Sequence, residues 1–280
     1  MNKNSRSVEF NVRIGCPIRC GYCPQHKVIN SGYEIKTLTL EVMSKVLANA
    51  SNGKSQLHVV FSGHSEPMSV PNWLELLEHA HSLPYVTKVV MFSTGYRLDD
   101  TSIYRLSALN KLNIVWHIGK KDLMPGFDES FVNKIPLVKE LMPASKFVCV
   151  GLEDDFDELR QIVKSVGAEL TFDKVINRAG NLEVVTKCDD VAKQLLPLGF
   201  IRKHSSAVTC RYMNEFKRPV VMPDGTTLAC PNDYGSDLVI GNLYNQTWEE
   251  LDFKKVAALQ RSCPDVICKK GCHQAIPVPA

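Results

Sequence analysis

Gly15-Cys16-Pro17-Ile18-Arg19-Cys20-Gly21-Tyr22-Cys23-Pro24 sets three cysteines in the spacing C-x3-C-x2-C. Thiolates are soft ligands that suit iron–sulfur clusters and zinc. A structural zinc site takes four protein ligands; the stretch offers three thiolates, with His26 as a candidate fourth. Three thiolates on a four-iron cluster leave one iron open, able to bind a small molecule and pass it an electron. The residues between the cysteines are short or turn-forming, as a loop wrapped round a cluster requires.

Upstream, residues 8–14 (VEFNVRI) alternate apolar and polar and read as a strand, so the cysteine loop sits at a strand's C-terminal end. In α/β folds that is the end where sites are built. Downstream, strands are expected at 57–61, 88–92, 113–117, 146–150 and 168–172. Helical patterns fall between them. One spans 38–50 with Thr39 as N-cap, one is opened by Pro71, and one is capped by Asp99 or Asp100. A fourth, over 130–142, is interrupted by Pro136, and a fifth is capped by Asp154 or Asp155. Strands alternating with helices imply a parallel sheet with right-handed crossovers. About six such units are too few for the full eightfold barrel.

Regular alternation stops after Gly199, and Cys210, Cys230, Cys263, Cys268 and Cys272 follow. Pro223-Asp224-Gly225 between two apolar runs predicts a hairpin. Thr247-x-x-Glu250 is a capping box expected to open a helix reaching about Leu259.

C-x3-C-x-Φ-C, with Tyr22 as the aromatic residue, resembles the signature of the radical S-adenosylmethionine (SAM) enzymes. The resemblance covers roughly residues 8–200 and implies a partial (β/α)6 TIM-like barrel, with Cys16, Cys20 and Cys23 holding a [4Fe-4S] cluster with one open iron. In that family the open iron chelates SAM, and the reduced cluster cleaves it to methionine and a 5′-deoxyadenosyl radical. A Gly-Gly-Glu stretch after the second strand binds the SAM amino group there. In Ser62-Gly63-His64-Ser65-Glu66-Pro67, Gly63 and Glu66 match it, while Ser62 and the inserted His64-Ser65 depart from it. As a loop residue, Glu66 is expected to matter little to stability. Ser93 and Thr94 resemble the hydroxyl-bearing position that contacts SAM. His117 at the fourth strand's end, and Arg178 and Asn181 beyond the sixth, are further SAM contacts by the same likeness.

Residues 207–273 resemble the auxiliary-cluster extensions called twitch and SPASM. Five cysteines suffice for one further [4Fe-4S] cluster and not two, each normally taking four thiolates, so one of Cys263 and Cys268 is spare. Closed structural zinc is the alternative. The implied division is a barrel over 1–205 and an auxiliary iron–sulfur domain over 206–280. Cys149 and Cys188 are left over. Each is a buried or incidental cysteine or, as in epimerases of this superfamily, a thiol that returns a hydrogen atom to the substrate radical.

Composition bounds the rest. The chain has 280 residues, 44% apolar and 22% charged, with formal net charge +3. That is a soluble globular composition and too little charge to indicate nucleic acid. Ten cysteines without a secretion signal or a membrane-length apolar run point to metal or redox chemistry in a reducing, cytoplasmic setting. The expected activity is hydrogen abstraction from a small substrate, a sugar, aminocyclitol, amino acid or nucleoside, ending in oxidation or epimerisation. A flavodoxin- or ferredoxin-like protein supplies electrons. The first strand begins within ten residues, leaving no room for a leader-binding domain. Modification of a peptide held by a separate partner is the alternative, and a non-catalytic, metal-stabilised binding module is the alternative of another class.

Overall fold

The computed structural model describes residues 5–25, 36–150, 156–173, 205–210, 218–263, 268–269, 272 and 275–278. Six strands form its centre: β1 (Ser5–Asn11), β2 (Gln56–Ser62), β3 (Val86–Ser93), β4 (Leu112–His117), β5 (Lys146–Val150) and β6 (Leu170–Asp173). Neighbours pair in parallel and in sequence order, from Ser5↔Gln56 at β1–β2 to Val150↔Asp173 at β5–β6. Helices α1 (Leu40–Ser51), α2 (Trp73–Ser82), α3 (Asp100–Ser107), α4 (Ile135–Leu141) and α5 (Asp157–Ser165) fall between the strands. The chain is an α/β protein with the partial-barrel arrangement expected of it.

Alternation along each strand divides two environments. Val8 and Phe10, Val59 and Phe61, Ile114 and Trp116, and Phe147 and Cys149 are buried in one hydrophobic core. The opposite face carries Glu9 and Asn11, both buried. In an open sheet those polar positions would face water; in a barrel they face the interior.

Local signals set the helix starts. The Thr39 side chain accepts from the Val42 N–H, and Asp99 rather than Asp100 accepts from Ser102. Pro136 does not interrupt a helix. A 3₁₀ segment (Glu129–Lys134) precedes α4, and Pro136 lies in the first turn of α4, where no N–H is needed. Phe156 takes the N-cap position of α5 without a side-chain bond, and Asp154 and Asp155 lie outside the described residues. The first strand starts and ends three residues earlier than its sequence pattern. Residues 12–14 leave β2 and turn instead to residues 36–38, through Leu38 N–H to Val12 O at 2.7 Å and Ile14 N–H to Lys36 O at 3.2 Å.

Near the C-terminus, β8 (Val220–Val221) and β9 (Thr226–Leu228) form the expected hairpin, followed by β10 (Val239–Asn242). Gly225 sits at φ +86°, and a Cβ there would lie 2.5 Å from the Tyr244 side chain. The hairpin extends the main sheet, since β8 pairs in parallel with β1 at Glu9↔Val220 and Phe10↔Val221. The capping box is present but opens only a 3₁₀ turn (Trp248–Glu250), because Leu251 is extended. Helix α6 (Phe253–Ser262) then starts on its own cap, Asp252. Two short antiparallel strands, β7 (Val208–Cys210) and β11 (Ala275–Pro277), pair near it.

Candidate active site

The last residue of each of β2 to β6 (Ser62, Ser93, His117, Val150 and Asp173) lines one cavity of about 480 Å³. Cys16, Cys20, Tyr22 and Cys23 line the same cavity, as do residues 63–66 and Thr94. Five strands separated along the chain thus deliver side chains to the mouth of the cysteine loop.

That loop is tightly constrained. Gly15 and Arg19 take left-handed conformations at φ 85° and 56°, and Cys23 N–H bonds Cys20 O at 3.0 Å. The segment after β4 braces it: Gly21 N–H donates to Leu123 O at 3.0 Å and Gly126 N–H to Ile18 O at 2.8 Å. A Cβ on Gly126 would lie 2.2 Å from Pro17 O, so only glycine permits this approach. Met124, from the same segment, reaches the cavity.

Burial pushes the Cys16 thiol up to about 12, and Glu66 and Cys23 add to the effect. Cys20 is raised for the same first reason, with Cys23 and Cys16 contributing. The three sulfurs are therefore close enough to feel one another, in a site where thiolates form only when a metal displaces their protons.

Glu66 differs from its sequence expectation. It is 3% exposed, and its carboxylate accepts from Ser93 Oγ at 2.6 Å, Thr94 N at 2.8 Å, Thr94 Oγ1 at 2.9 Å and Met68 N at 3.0 Å. Desolvation still raises its pKa. Glu66 thus ties the ends of β2 and β3 together, so its weight in stability is larger than a loop position implies. Gly63, at φ 76°, has its N–H on Glu9 Oε1 at 2.8 Å. His64 is buried, packs tilted at 31° against Tyr234 with 4.0 Å between ring centroids, and donates from Nε2 to Pro231 O at 3.3 Å. His117 sits edge-on to Phe92 at 6.0 Å.

Cys149, a candidate hydrogen donor, does not line the cavity. It lies one residue short of Val150, so strand alternation turns it into the core, fully buried and off the cavity wall. Arg178, Asn181 and Cys188 lie outside the described residues.

A second thiol group is buried nearby. Cys210, Cys230, Cys268 and Cys272 are each at most 7% exposed. Burial raises the Cys230 thiol, and Cys272, Cys268 and Cys210 raise it further. Cys268 is pushed up to about 12, again chiefly by burial, with Cys272 and Cys210 adding. Gln260 Nε2–H points at Cys268 Sγ at 3.4 Å, and Asn232 N–H at Cys230 Sγ at 3.4 Å. Cys263 is half-buried. Among the described residues no three His, Cys, Asp or Glu side chains are grouped to hold a single metal ion. The two thiol sets are joined by one turn: Cys230 is followed by Pro231, Asn232 and Tyr234, all on the cavity wall.

Glu9, Met124, Arg218, Asn232 and Tyr234 were missed as cavity residues. For Glu9 the signal was present, a charge inside a strand pattern. The others arrive from distant segments and carry no motif.

A model of the radical SAM superfamily matches residues 10–197. A search of curated protein sequences finds no match. Among solved structures, BtrN in complex with AdoMet and 2-DOIA superposes with a TM-score of 0.64 at 15% identity, over 98% of this chain and 94% of that one. The anSMEcpe structure with AdoMet and the Cp18Cys peptide gives 0.63 at 17%, over 96% and 89%. Streptococcus suis SuiB bound to S-adenosylmethionine gives 0.63 at 11%, over 95% and 72%.

Proposed function

This chain belongs to the radical SAM superfamily, and we propose that it abstracts a hydrogen atom from a small polar substrate and oxidises it. The observation that carries the reading is the convergence of Cys16, Cys20 and Cys23 with the ends of β2 to β6 on one cavity. The donor set fits a four-iron cluster with one open iron: three half-buried soft ligands, constrained by left-handed turns and a glycine contact. When bound, such a cluster supplies the electron that cleaves SAM to methionine and the 5′-deoxyadenosyl radical.

The chain's own residues hold and orient. Glu66 holds Ser93 and Thr94 in place; with both hydroxyl protons given to Glu66, the oxygens of this trio are acceptors suited to the SAM amino group. Tyr22 and His117 are further wall contacts. The cavity's volume is that of a small-molecule site, and the polar groups placed on its wall, among them Glu9, Asp173 and Asn232, suit a hydroxyl- or amine-bearing substrate. The solved relatives hold both small molecules and peptides, so a peptide substrate is the outcome that would replace this one.

Cys210, Cys230, Cys268 and Cys272 are the ligands of an auxiliary [4Fe-4S] cluster within a 206–280 twitch-like domain, with Cys263 spare. Four buried thiols, with Cys230 close enough to feel the other three and N–H groups directed at the sulfurs of Cys230 and Cys268, support that set. The shared 230–234 turn favours oxidation over epimerisation. Cys149 faces the core, and Cys188, the other candidate hydrogen donor, lies outside the described residues. The electron source is a flavodoxin- or ferredoxin-like reductant.

The test is anaerobic reconstitution followed by assay of 5′-deoxyadenosine. Wild type should be brown and form it on reduction; Cys16→Ala/Cys20→Ala/Cys23→Ala should form none. A colourless zinc-loaded protein, or SAM cleavage by the triple variant, would end the reading.

A further inference from the structure

Glu9 lies in the middle of β1 between two core residues, 2% exposed. A carboxylate there is costly unless paired and hydrogen-bonded. It has both: Gly63 donates its N–H to Oε1 at 2.8 Å, and Arg218 Nε lies 2.8 Å from Oε2. Arg218 arrives from the C-terminal segment, two residues ahead of β8, and its side chain is 27% exposed. Both residues line the cavity, and Arg218 is the only Lys or Arg among the described residues that do so.

A tie between β1 and β8 does not need this charge. Those strands are already joined through Glu9 N–H to Pro219 O at 3.0 Å and by the ladder beyond it. An apolar pair in place of a buried ion pair is commonly as stable or more so. What an apolar pair cannot do is present a guanidinium to the cavity. Glu9 approaches Arg218 at Nε, and a guanidinium carries five donors in a fork matched to planar oxyanions.

We propose that the Glu9–Arg218 pair is an oxyanion subsite of the cavity, binding a carboxylate or phosphate, with Glu9 as the positioning residue and Arg218 as the contact. The proposal rests on the SAM-dependent reading of the cavity. Two ligands offer that chemistry: the carboxylate of SAM itself and an acidic group on the substrate.

The experiment uses the cluster-reconstituted full chain. Dissociation constants are measured for SAM and for decarboxylated SAM in wild type, in Arg218→Lys, and in Glu9→Gln/Arg218→Gln, which leaves no unpaired buried charge. In parallel, modification of Arg218 by phenylglyoxal is followed by peptide mass spectrometry in SAM-loaded wild type, with and without inorganic phosphate. If the ligand is the SAM carboxylate, both variants lose about tenfold in SAM affinity and nothing for the decarboxylated compound. If it is a substrate oxyanion, SAM affinity is unchanged in the variants and phosphate slows modification of Arg218 in the SAM-loaded enzyme. Unchanged SAM affinity with no protection by phosphate overturns the subsite and leaves the pair a strand tie. Iron-loaded wild type that fails to bind SAM at all counts against the function instead, so the two failures are separable.

Discussion

Glu66 shows how much a single carboxylate is asked to do. It accepts four hydrogen bonds from three residues of two loops while wholly buried. Glu66→Gln turns one acceptor oxygen into a donor facing donors. It should cost about 1–3 kcal/mol, the penalty for a buried polar group left unsatisfied. An unfolding free energy from chemical denaturation that changes by less than about 0.3 kcal/mol would show that these bonds do not bind the loops together. The second residue-scale outcome concerns the auxiliary thiols. Alanine at Cys210, Cys230, Cys268 or Cys272 should abolish the EPR signal of the reduced auxiliary cluster, whereas Cys263→Ala should keep it. Loss of the signal in Cys263→Ala, or its persistence in Cys268→Ala, would reassign the ligand set.

At the scale of elements, caps and braces carry different loads. Asp99 accepts from the Ser102 backbone N–H at 2.7 Å at the start of α3, and that bond holds its pKa below the ordinary value of 3.8. The folded pKa is depressed, so the contribution is full above the ordinary value and disappears as pH falls through the folded one. Asp99→Ala should cost about 1 kcal/mol near neutrality and flatten that part of the acid-unfolding profile. Equal stability of the two proteins at pH 7 would remove the cap's role. The brace after β4 acts on the site instead. Gly126→Ala forces a Cβ into Pro17 O and should cost about 1–3 kcal/mol through overpacking. Iron at the Cys16–Cys20–Cys23 site should fall further than the stability loss accounts for. A variant that retains full iron there would show that the cysteine loop orders itself without this contact.

For the whole molecule, two cluster sites predict about eight iron atoms per reconstituted chain. Ligands that bind the folded chain stabilise it, so stripping iron with a chelator under reducing conditions should lower the Tm. The loss should be greater in wild type than in a chain already lacking the four auxiliary thiols. About four iron atoms in fully reconstituted wild type would remove the second cluster. No helix among the described residues is long and apolar enough to cross a membrane.

The order of strands and helices was legible in the sequence because a half-buried strand and an amphipathic helix write different periods into their apolar residues. Thr39, the Asp224-Gly225 turn and the three motif cysteines were equally legible, since short-range spacing alone sets their geometry. The environment of Glu66 was not. Its four donors come from Met68, nearby in sequence, and from Ser93 and Thr94, a strand and a helix away. Nor was the alliance of Glu9 with Arg218, which are adjacent only because β8 adds itself to the edge of β1. The capping box at Thr247 was legible, but not that its helix would stop within one turn. Local chemistry is encoded locally, so the sequence by itself determined the elements and the thiols. Which polar side chains share the cavity depends on how a curved sheet brings separate strand ends together, and that only the tertiary structure decided.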